Sequence, residues 1–182
     1  VPIDVMNVQL FYNKRLLAKL GLDPSAPPKT WEEFLDVGKR LGGTQRLLGF
    51  VSGWAELWLI DCFATDYAIH AMGIKKVEAT YRGAVPYTDP EWIRVFDLFA
   101  QLRESGLLAQ GIVTMVNKRA EQLFANEQAV FAFNGTWGVN VYRSMNPALE
   151  YGVIMPPRLK ERPMVTWGGA GSSFFVNAKS PR

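Results

Sequence analysis

The chain has 182 residues, of which 48% are hydrophobic and 20% charged, and its 20 Lys and Arg against 17 Asp and Glu give a formal net charge of +3. This length suits one domain with a full core, and the small, scattered positive excess lacks the dense basic patch of a nucleic-acid-binding protein, which argues against that class of partner. A single cysteine and a single histidine exclude an internal disulfide and leave too few groups for a zinc site or a Ser-His-Asp triad, so no metal or cofactor is expected.

The first third of the chain predicts a strand, two helices and a second strand. β-branched and aromatic residues predict a strand over residues 5–12, and Asn13 is placed to cap a short helix that ends at Gly21. Thr30-Trp31-Glu32-Glu33 is a capping box, in which the Thr hydroxyl and the Glu carboxylate each satisfy a free backbone N–H, and it predicts the start of a second helix. A short buried strand is predicted at residues 47–51.

The middle of the chain is predicted to be mostly helical. One helix is predicted over residues 54–72, directly after the turn Ser52-Gly53. Residues 73–88 show no clear period and predict irregular structure with a small hairpin at 77–87. Asp89-Pro90 is a cap followed by proline at the first helical position, and it predicts a helix that ends at Ser105-Gly106.

The last third predicts two more helices and three strands. The helices cover residues 119–126 and 136–145, and the strands cover residues 128–133, 151–155 and 174–176. Strands that alternate with helices in this way predict an α/β domain with a mixed sheet flanked by helices. Because no linker or internal repeat divides the sequence, residues 1–182 are expected to form a single domain.

Three stretches of the sequence, taken in order, resemble a known family. The first comprises residues 2–14, which end in Tyr-Asn-Lys, and Pro-Pro-Lys-Thr-Trp-Glu-Glu-Phe at residues 27–34. The second comprises residues 120–130 with Asn-Gly-Thr-Trp at residues 134–137, and the third comprises residues 151–157, 168–169 and 176–181. Together they resemble the family 1 extracellular solute-binding proteins, the group that includes maltose-binding protein. Two positions depart from the family's pattern: Glu127 stands where glycine is frequent, and Met6 stands where maltose-binding protein has a carboxylate.

The resemblance implies one lobe of a type II periplasmic-binding-protein fold. In that fold two α/β lobes are joined by crossover strands and close over a small solute. The chain is expected to be the C-terminal lobe, without its N-terminal partner lobe, signal segment and final helices. The implied function is substrate binding for an ABC importer, with a mono- or oligosaccharide as the expected ligand and the membrane permease subunits as partners. The implied location is periplasmic or extracellular, with a lipid anchor through the missing N-terminus as one form.

Trp137 is the first candidate for ligand binding. Sugars present apolar ring faces and hydroxyls, so their sites combine flat aromatic rings with a few hydrogen-bonding groups. Trp137 follows the predicted strand 128–133 and its Asn-Gly turn, and open α/β sheets bind ligands at the carboxyl ends of their strands. By resemblance it matches an aromatic residue that stacks on the sugar. The alternative is a tryptophan buried in the core.

The segment after the strand 47–51 supplies three further candidates. Trp54 would pack on a sugar ring and Glu56 would accept hydrogen bonds from hydroxyls, because both lie just past the end of a strand. Trp58 would either join them or lie in the core, since it is four residues after Trp54 on the same helical stripe.

The remaining candidates are Trp167, Gly168, Gly169 and Met6. The paired glycines permit close approach of a ligand to the backbone, or form a turn only, and the resemblance places them near the cleft. Met6 is expected to line the cleft at the hinge. Trp31 and Trp92, in contrast, lie on the inner stripes of helices and are expected in the core.

An enzymatic alternative is a glycoside-hydrolase-like, carbohydrate-active domain. Such enzymes need a pair of carboxylates across the scissile bond, and the chain carries several acidic residues. Their spacing singles out no pair, and the sequence has no phosphate-binding loop and no nucleophile elbow. A binding protein without catalytic residues is therefore the preferred interpretation.

Overall fold

The computed structural model describes residues 3–42, 47–161 and 163–180. Its strands are β1 (Val5–Asn13), β2 (Leu48–Val51), β3 (Ala129–Gly135), β4 (Tyr151–Ile154) and β5 (Gly168–Ala170). Its helices are α1 (Lys14–Lys19), α2 (Trp31–Leu41), α3 (Trp58–Met72), α4 (Ile74–Tyr81), α5 (Pro90–Glu104), α6 (Asn117–Ala125) and α7 (Gly138–Met145). Two short 3₁₀ turns lie at Trp54–Glu56 and Ile112–Thr114. Among the described residues no helix is both long and apolar enough to cross a membrane.

The strands form one mixed sheet in the order β2-β3-β1-β4, and β5 pairs with the first residues of β1. β2 and β3 are parallel, whereas β1 runs antiparallel to β3, β4 and β5. The carboxyl ends of β2 and β3 therefore lie beside the beginning of β1, at the edge of the sheet that is formed by the ends of the strands. This is the edge at which open α/β sheets bind their ligands.

Helices cover both faces of the sheet. On one face, side chains of α2, α3 and α5 pack with those of β1, β2 and β3 in the larger hydrophobic cluster, which includes Trp31 and Trp92. On the other face, α6 and α7 pack against a smaller cluster around Phe11 and Tyr142. The predicted α/β class with a mixed sheet flanked by helices is confirmed, as is the core position of Trp31 and Trp92.

The helix starts follow the predicted caps. Asn13 Oδ1 accepts a hydrogen bond from the Leu16 N–H at 2.9 Å, and Asp89 accepts one from the Glu91 N–H at the start of α5. At the start of α2, Thr30 accepts a hydrogen bond from the Glu33 N–H, and the Glu33 carboxylate accepts one from the Thr30 N–H. These bonds satisfy N–H groups that have no partner within their helices.

The predicted irregular structure is found only at residues 73 and 82–88, and the predicted hairpin at 77–87 is wrong, because residues 74–81 form α4. Val77 and Thr80, three residues apart, both face inward, and Thr80 Oγ1 accepts a hydrogen bond from Trp92 Nε1 at 2.8 Å. Val, Thr and Tyr favour strands in isolation. Packing against α3 and α5 outweighs that preference here.

Two further predictions need correction. The predicted strand at 174–176 does not form: Phe174, Phe175 and Val176 are exposed, Phe175 by 90%, and the final strand is β5 at residues 168–170. The predicted helix over residues 54–72 is broken at Leu57 into a 3₁₀ turn and α3. β5 consists of Gly-Gly-Ala, and glycine has a low strand propensity, so the sequence did not indicate a strand there. Its pairing with β1 specifies this strand instead.

Candidate functional site

The candidate site lies at the edge where β2 and β3 end and β1 begins. The Thr136 N–H donates to the Asn7 carbonyl at 2.9 Å, and the Val8 N–H donates to the Trp167 carbonyl at 3.0 Å. Met6 pairs with Gly169 and Asn7 with Gly168 in the β1–β5 ladder. The sheet therefore brings three sequence-distant segments, around residues 6, 136 and 168, to one place.

A cavity of about 420 Å³ opens at this edge. Its lining residues come from the beginning of β1 and the residue before it, the turn after β3, the first turn of α7 and the segment after β5: Asp4, Val5, Met6, Thr136, Trp137, Asn140 and Ser172. Met6 and Trp137 are the predicted site residues in this group. Asp4 is the only charged residue among these described lining residues.

Trp137 and Trp58 form an aromatic pair at this edge. Their ring centroids are 5.6 Å apart with an interplanar angle of 50°, and Trp58 is 40% exposed. Trp137 is half-buried, and a Cβ at Gly135 would overlap its indole ring. Gly135 therefore allows the Trp137 ring to fold back over the end of β3. The buried-core alternative does not describe Trp58, whose ring packs on Trp137 at the surface.

A buried polar network lies beneath the turn that carries Trp137. Asn134 Nδ2 donates to Glu121 Oε1 at 2.9 Å, and Asn134 Oδ1 accepts from the Gly135 N–H at 2.9 Å. Asn117 Nδ2 also donates to Glu121 Oε1, at 3.1 Å. Asn134 and Glu121 are both buried, so these bonds hold the end of β3 against α6. Asn117 Oδ1 has no partner among the described residues, but the bonds that do form restrict the geometry of this turn.

Trp54 and Glu56 do not line the cavity, and each makes contacts within the fold. Trp54 is only 3% exposed, and its ring packs against Phe50, Phe63 and Phe99 in the core, so it offers no face to a ligand in the cavity. Glu56 is exposed, but its Oε1 accepts a hydrogen bond from the Asn117 N–H at 2.8 Å. This carboxylate therefore caps the N-terminus of α6, where negative charge is favourable.

The segment of Trp167, Gly168 and Gly169 lies beside the beginning of β1. Trp167 is 43% exposed, and a Cβ at Gly168 would come within 2.7 Å of the Asn7 side chain. Gly168 therefore allows close contact between the two strands. A Cβ at Gly169 would meet no atom within 4 Å, so glycine there is not required by the described residues. These three residues lie near the cavity but do not line it.

Asp66 on α3 holds the segment that begins at Trp167 by a hydrogen bond. Its Oδ1 accepts a hydrogen bond from the Trp167 N–H at 2.6 Å, whereas its Oδ2 is buried without a hydrogen-bond partner among the described residues. Burial raises the pKa of Asp66 to about 8, and the hydrogen bond from Trp167 opposes that effect. The Asp66 carboxyl group is therefore mostly protonated at neutral pH.

Sequence reasoning missed five of the lining residues: Asp4, Val5, Thr136, Asn140 and Ser172. A signal existed for three of them. Asp4 lies two residues before Met6 and so shares its face of the extended chain. Thr136 precedes Trp137 directly, and Asn140 follows it by three residues, a helical spacing. Ser172 carried no such signal, because its position depends on the unpredicted pairing of β5 with β1.

The site offers aromatic ring faces, hydroxyl and amide groups and one carboxylate. Such a set can stack on an apolar ring face and exchange hydrogen bonds with hydroxyl groups. It contains no described Lys or Arg that would pair with an anion.

Comparison by sequence gives a match over the whole chain. Residues 1–182 match the family described as bacterial extracellular solute-binding protein. The chain is 40% identical over 109 residues to the sn-glycerol-3-phosphate-binding periplasmic protein of Escherichia coli, a match that covers 58% of this chain and 24% of that protein. The corresponding protein of Salmonella typhi is 28% identical over 109 residues, with the same coverage.

Comparison by structure finds the same fold in solved binding proteins. A chitin oligosaccharide binding protein superposes with a TM-score of 0.79 at 20% identity, over 93% of this chain and 42% of that one. A solute-binding protein in complex with raffinose gives a TM-score of 0.76 at 22% identity, over 93% and 44%. A maltose-bound protein of T. maritima gives 0.72 at 21% identity, over 93% and 43%. The chain thus spans less than half the length of each of these proteins, and at these identities the likeness shows the fold alone.

Proposed function

The chain belongs to the bacterial extracellular solute-binding proteins, and on that premise we propose that it is the C-terminal lobe of the substrate-binding component of an ABC importer. Its fold is that of one lobe of a type II periplasmic binding protein. In this proposal residues 1–182 form a single domain, and a partner lobe and final helices lie elsewhere in the full-length protein. The cavity is then one wall of a cleft that two lobes share.

The proposed ligand is a mono- or oligosaccharide. The observation that carries this choice is the pair of Trp58 and Trp137 beside a cavity lined by hydroxyl and amide groups. Tryptophan rings at a partly exposed site provide a flat apolar surface for a sugar ring, while Thr136 and Asn140 supply hydrogen-bonding groups. The solved proteins of the same fold include ones described with a chitin oligosaccharide, raffinose and maltose.

The membership of the family supports a proposal for partners and location. An extracellular solute-binding protein acts outside the cytoplasm. We propose that the closed, ligand-bound form of the full-length protein is recognised by the membrane permease subunits of an importer. We propose a periplasmic or extracellular location, with a lipid anchor on the N-terminus of the full-length protein as one form. A glycoside hydrolase, the enzymatic alternative, finds no support among relatives that are described as binding proteins.

Substitution of Trp137 tests the proposed site. In the full-length protein, Trp137→Ala is expected to weaken sugar binding by about 1–3 kcal/mol, the scale of a lost aromatic contact and its buried area. The free energy of unfolding is expected to fall by less than the roughly 3–5 kcal/mol that truncation of a core tryptophan costs. Calorimetric titration with maltose, raffinose and a chitin oligosaccharide measures the first quantity, and chemical denaturation measures the second.

Tyr87→Ala is the matched control, because Tyr87 is an exposed aromatic residue that packs on Trp92 away from the cavity. It should leave sugar affinity unchanged. A destabilised Trp137→Ala protein that binds sugar with intact affinity would remove Trp137 from the site and would contradict the carbohydrate proposal.

A further inference from the structure

Asp4 is held in a defined position at the cavity. Its Oδ1 accepts a hydrogen bond from the Ser172 N–H at 2.7 Å, and its backbone carbonyl accepts one from the Gly171 N–H at 3.1 Å. A Cβ at Gly171 would overlap Asp4 Oδ1. The carboxylate thus lies in the space that a side chain at residue 171 would fill. The Asp4 carboxylate is therefore positioned by the segment after β5, while the residue itself is exposed.

The surroundings of Asp4 suit hydroxyl groups. Asp4 lines the same cavity as Trp137, Thr136 and Asn140. Its Oδ2 accepts no hydrogen bond from the described part of the chain, so this oxygen is available to a ligand. A carboxylate accepts hydrogen bonds strongly and donates none when ionised, which complements the O–H donors of a sugar.

The same surroundings do not suit an anion. Asp4 is the only charged group among the described lining residues, and it is negative. The N-terminus of α6, a position that often binds phosphate, already holds the carboxylate of Glu56 at 2.8 Å from the Asn117 nitrogen. A phosphate in this half of the cleft would meet a like charge and find no positive partner there.

We propose that Asp4 is a ligand-binding and specificity-determining residue, which accepts hydrogen bonds from an uncharged carbohydrate and excludes phosphorylated or otherwise anionic solutes by like-charge repulsion. This inference rests on the proposed function, because it assumes that the cavity is the ligand site. It separates the chain from the glycerol-3-phosphate-binding proteins that it resembles in sequence. Repulsion of a wrong ligand is a common source of specificity.

Two substitutions test the inference in the full-length protein. Asp4→Asn removes the charge but keeps an oxygen that can accept from the Ser172 N–H. It is expected to weaken binding of the preferred sugar about 10-fold, the scale of a hydrogen bond to a charged group, and to strengthen any binding of glycerol 3-phosphate. Gly171→Ala displaces the carboxylate while leaving Asp4 in place, and it should weaken sugar binding to a similar extent. Asp97→Asn, an equal change of charge at an exposed position on α5, is the control and should bind as the unmodified protein does.

The measurement is calorimetric titration with maltose, raffinose, a chitin oligosaccharide and glycerol 3-phosphate, together with the melting temperature of each variant. Sugar binding that is unchanged in Asp4→Asn and Gly171→Ala would overturn the role of Asp4 and leave the proposed function intact. Tighter binding of glycerol 3-phosphate than of every sugar by the unmodified protein would overturn the exclusion of anions, although solute capture would survive. A folded protein that binds none of the four solutes would overturn both proposals.

Discussion

At the scale of single residues, the most unusual group is the buried carboxyl of Asp66. It lies on α3 behind the segment that begins at Trp167, and one of its oxygens accepts the Trp167 N–H. Because burial disfavours the charged form, the pKa of Asp66 rises to about 8. The same side chain in the unfolded chain has a pKa of about 3.9.

Asp66 therefore predicts a pH dependence of stability. Between its unfolded and folded pKa values the folded protein binds one more proton at this site, so the free energy of unfolding falls as the pH rises. The stabilisation of the folded state by protonated Asp66 is fully present below about pH 3.9 and is lost as the pH rises through about 8. Between these values the free energy of unfolding falls with a limiting slope of about 1.4 kcal/mol per pH unit. Chemical denaturation at pH 5, 7 and 9 measures this slope.

Asp66→Asn should flatten the pH profile, because asparagine does not titrate and can still accept the hydrogen bond from Trp167. Asp97→Asn removes an exposed carboxylate on α5 and should keep the profile of the unmodified protein. Identical profiles for Asp66→Asn and the unmodified protein would show that Asp66 is already ionised in the folded state.

At the scale of elements, the C-terminal end of α6 carries local strain. Asn126 ends the helix, and Glu127 follows it with a φ of 56°, the only φ in the left-handed region at a non-glycine residue among those described. This conformation is disfavoured by roughly 1–2 kcal/mol for residues with a Cβ. The Glu127 carboxylate offsets part of that cost through contacts with Arg15 at 3.3 Å and Asn13 at 3.4 Å.

Glycine at position 127 is expected to relieve the strain. Glu127→Gly should raise the free energy of unfolding by up to about 1 kcal/mol, because relief of strain exceeds the loss of a partly exposed ion pair and the added freedom of the unfolded chain. Glu127→Ala loses the same ion pair and keeps the Cβ, so it should be less stable than Glu127→Gly by about 1 kcal/mol. Equal stability of the two variants, measured by denaturant titration, would contradict the interpretation that the backbone at Glu127 is strained.

Elements with strong local signals were predictable from the sequence, and those specified by tertiary contacts were not. The capping residues Asn13, Thr30 and Asp89 marked three helix starts, because a capping bond is formed within a few residues of sequence. α4 and β5 were not predicted from the sequence, because α4 is stabilised by packing on its neighbours and β5 consists of Gly-Gly-Ala paired with β1.

The residues of the candidate site were also predicted from the sequence only in part. The position of Trp137 after β3 followed from the rule about strand ends, and the structure places it at the cavity. Trp54 obeys the same rule but points into the core, where Phe50, Phe63 and Phe99 surround it. A rule that depends on chain position identifies the edge of the sheet, whereas the direction of each side chain depends on the packing around it.

At the scale of the whole molecule, the described residues that line the cavity all lie near the place where β3 ends and β1 begins. Trp137 is one of them, and its ring packs on that of Trp58, which is 40% exposed. If a second lobe completes the cleft, residues 1–182 alone supply about half of the ligand contacts. Their affinity for sugar is therefore expected to fall well short of a Kd of about 1 μM, which corresponds to about −8 kcal/mol.

Calorimetric titration of the 182-residue chain and of the full-length protein, under the same conditions and with the same sugars, makes the comparison. The full-length protein should bind at least one sugar far more tightly than the shorter chain does. Equal affinity of the 182-residue chain and the full-length protein would mean that residues 1–182 form the complete site. The proposal of a cleft shared by two lobes would then be wrong.

The position of β1 also determines how the molecule carries force. β1 is the central strand, antiparallel to β3 and β4, and its first residues extend past both of them to pair with β5. A pull applied at residue 3 acts along β1 and therefore loads many ladder hydrogen bonds at once in shear, whereas peeling an edge strand breaks them one at a time. The first residues of β1 are thus continuous with a strand that is paired on both sides, and displacement there would move the strand whose side chains enter both hydrophobic clusters.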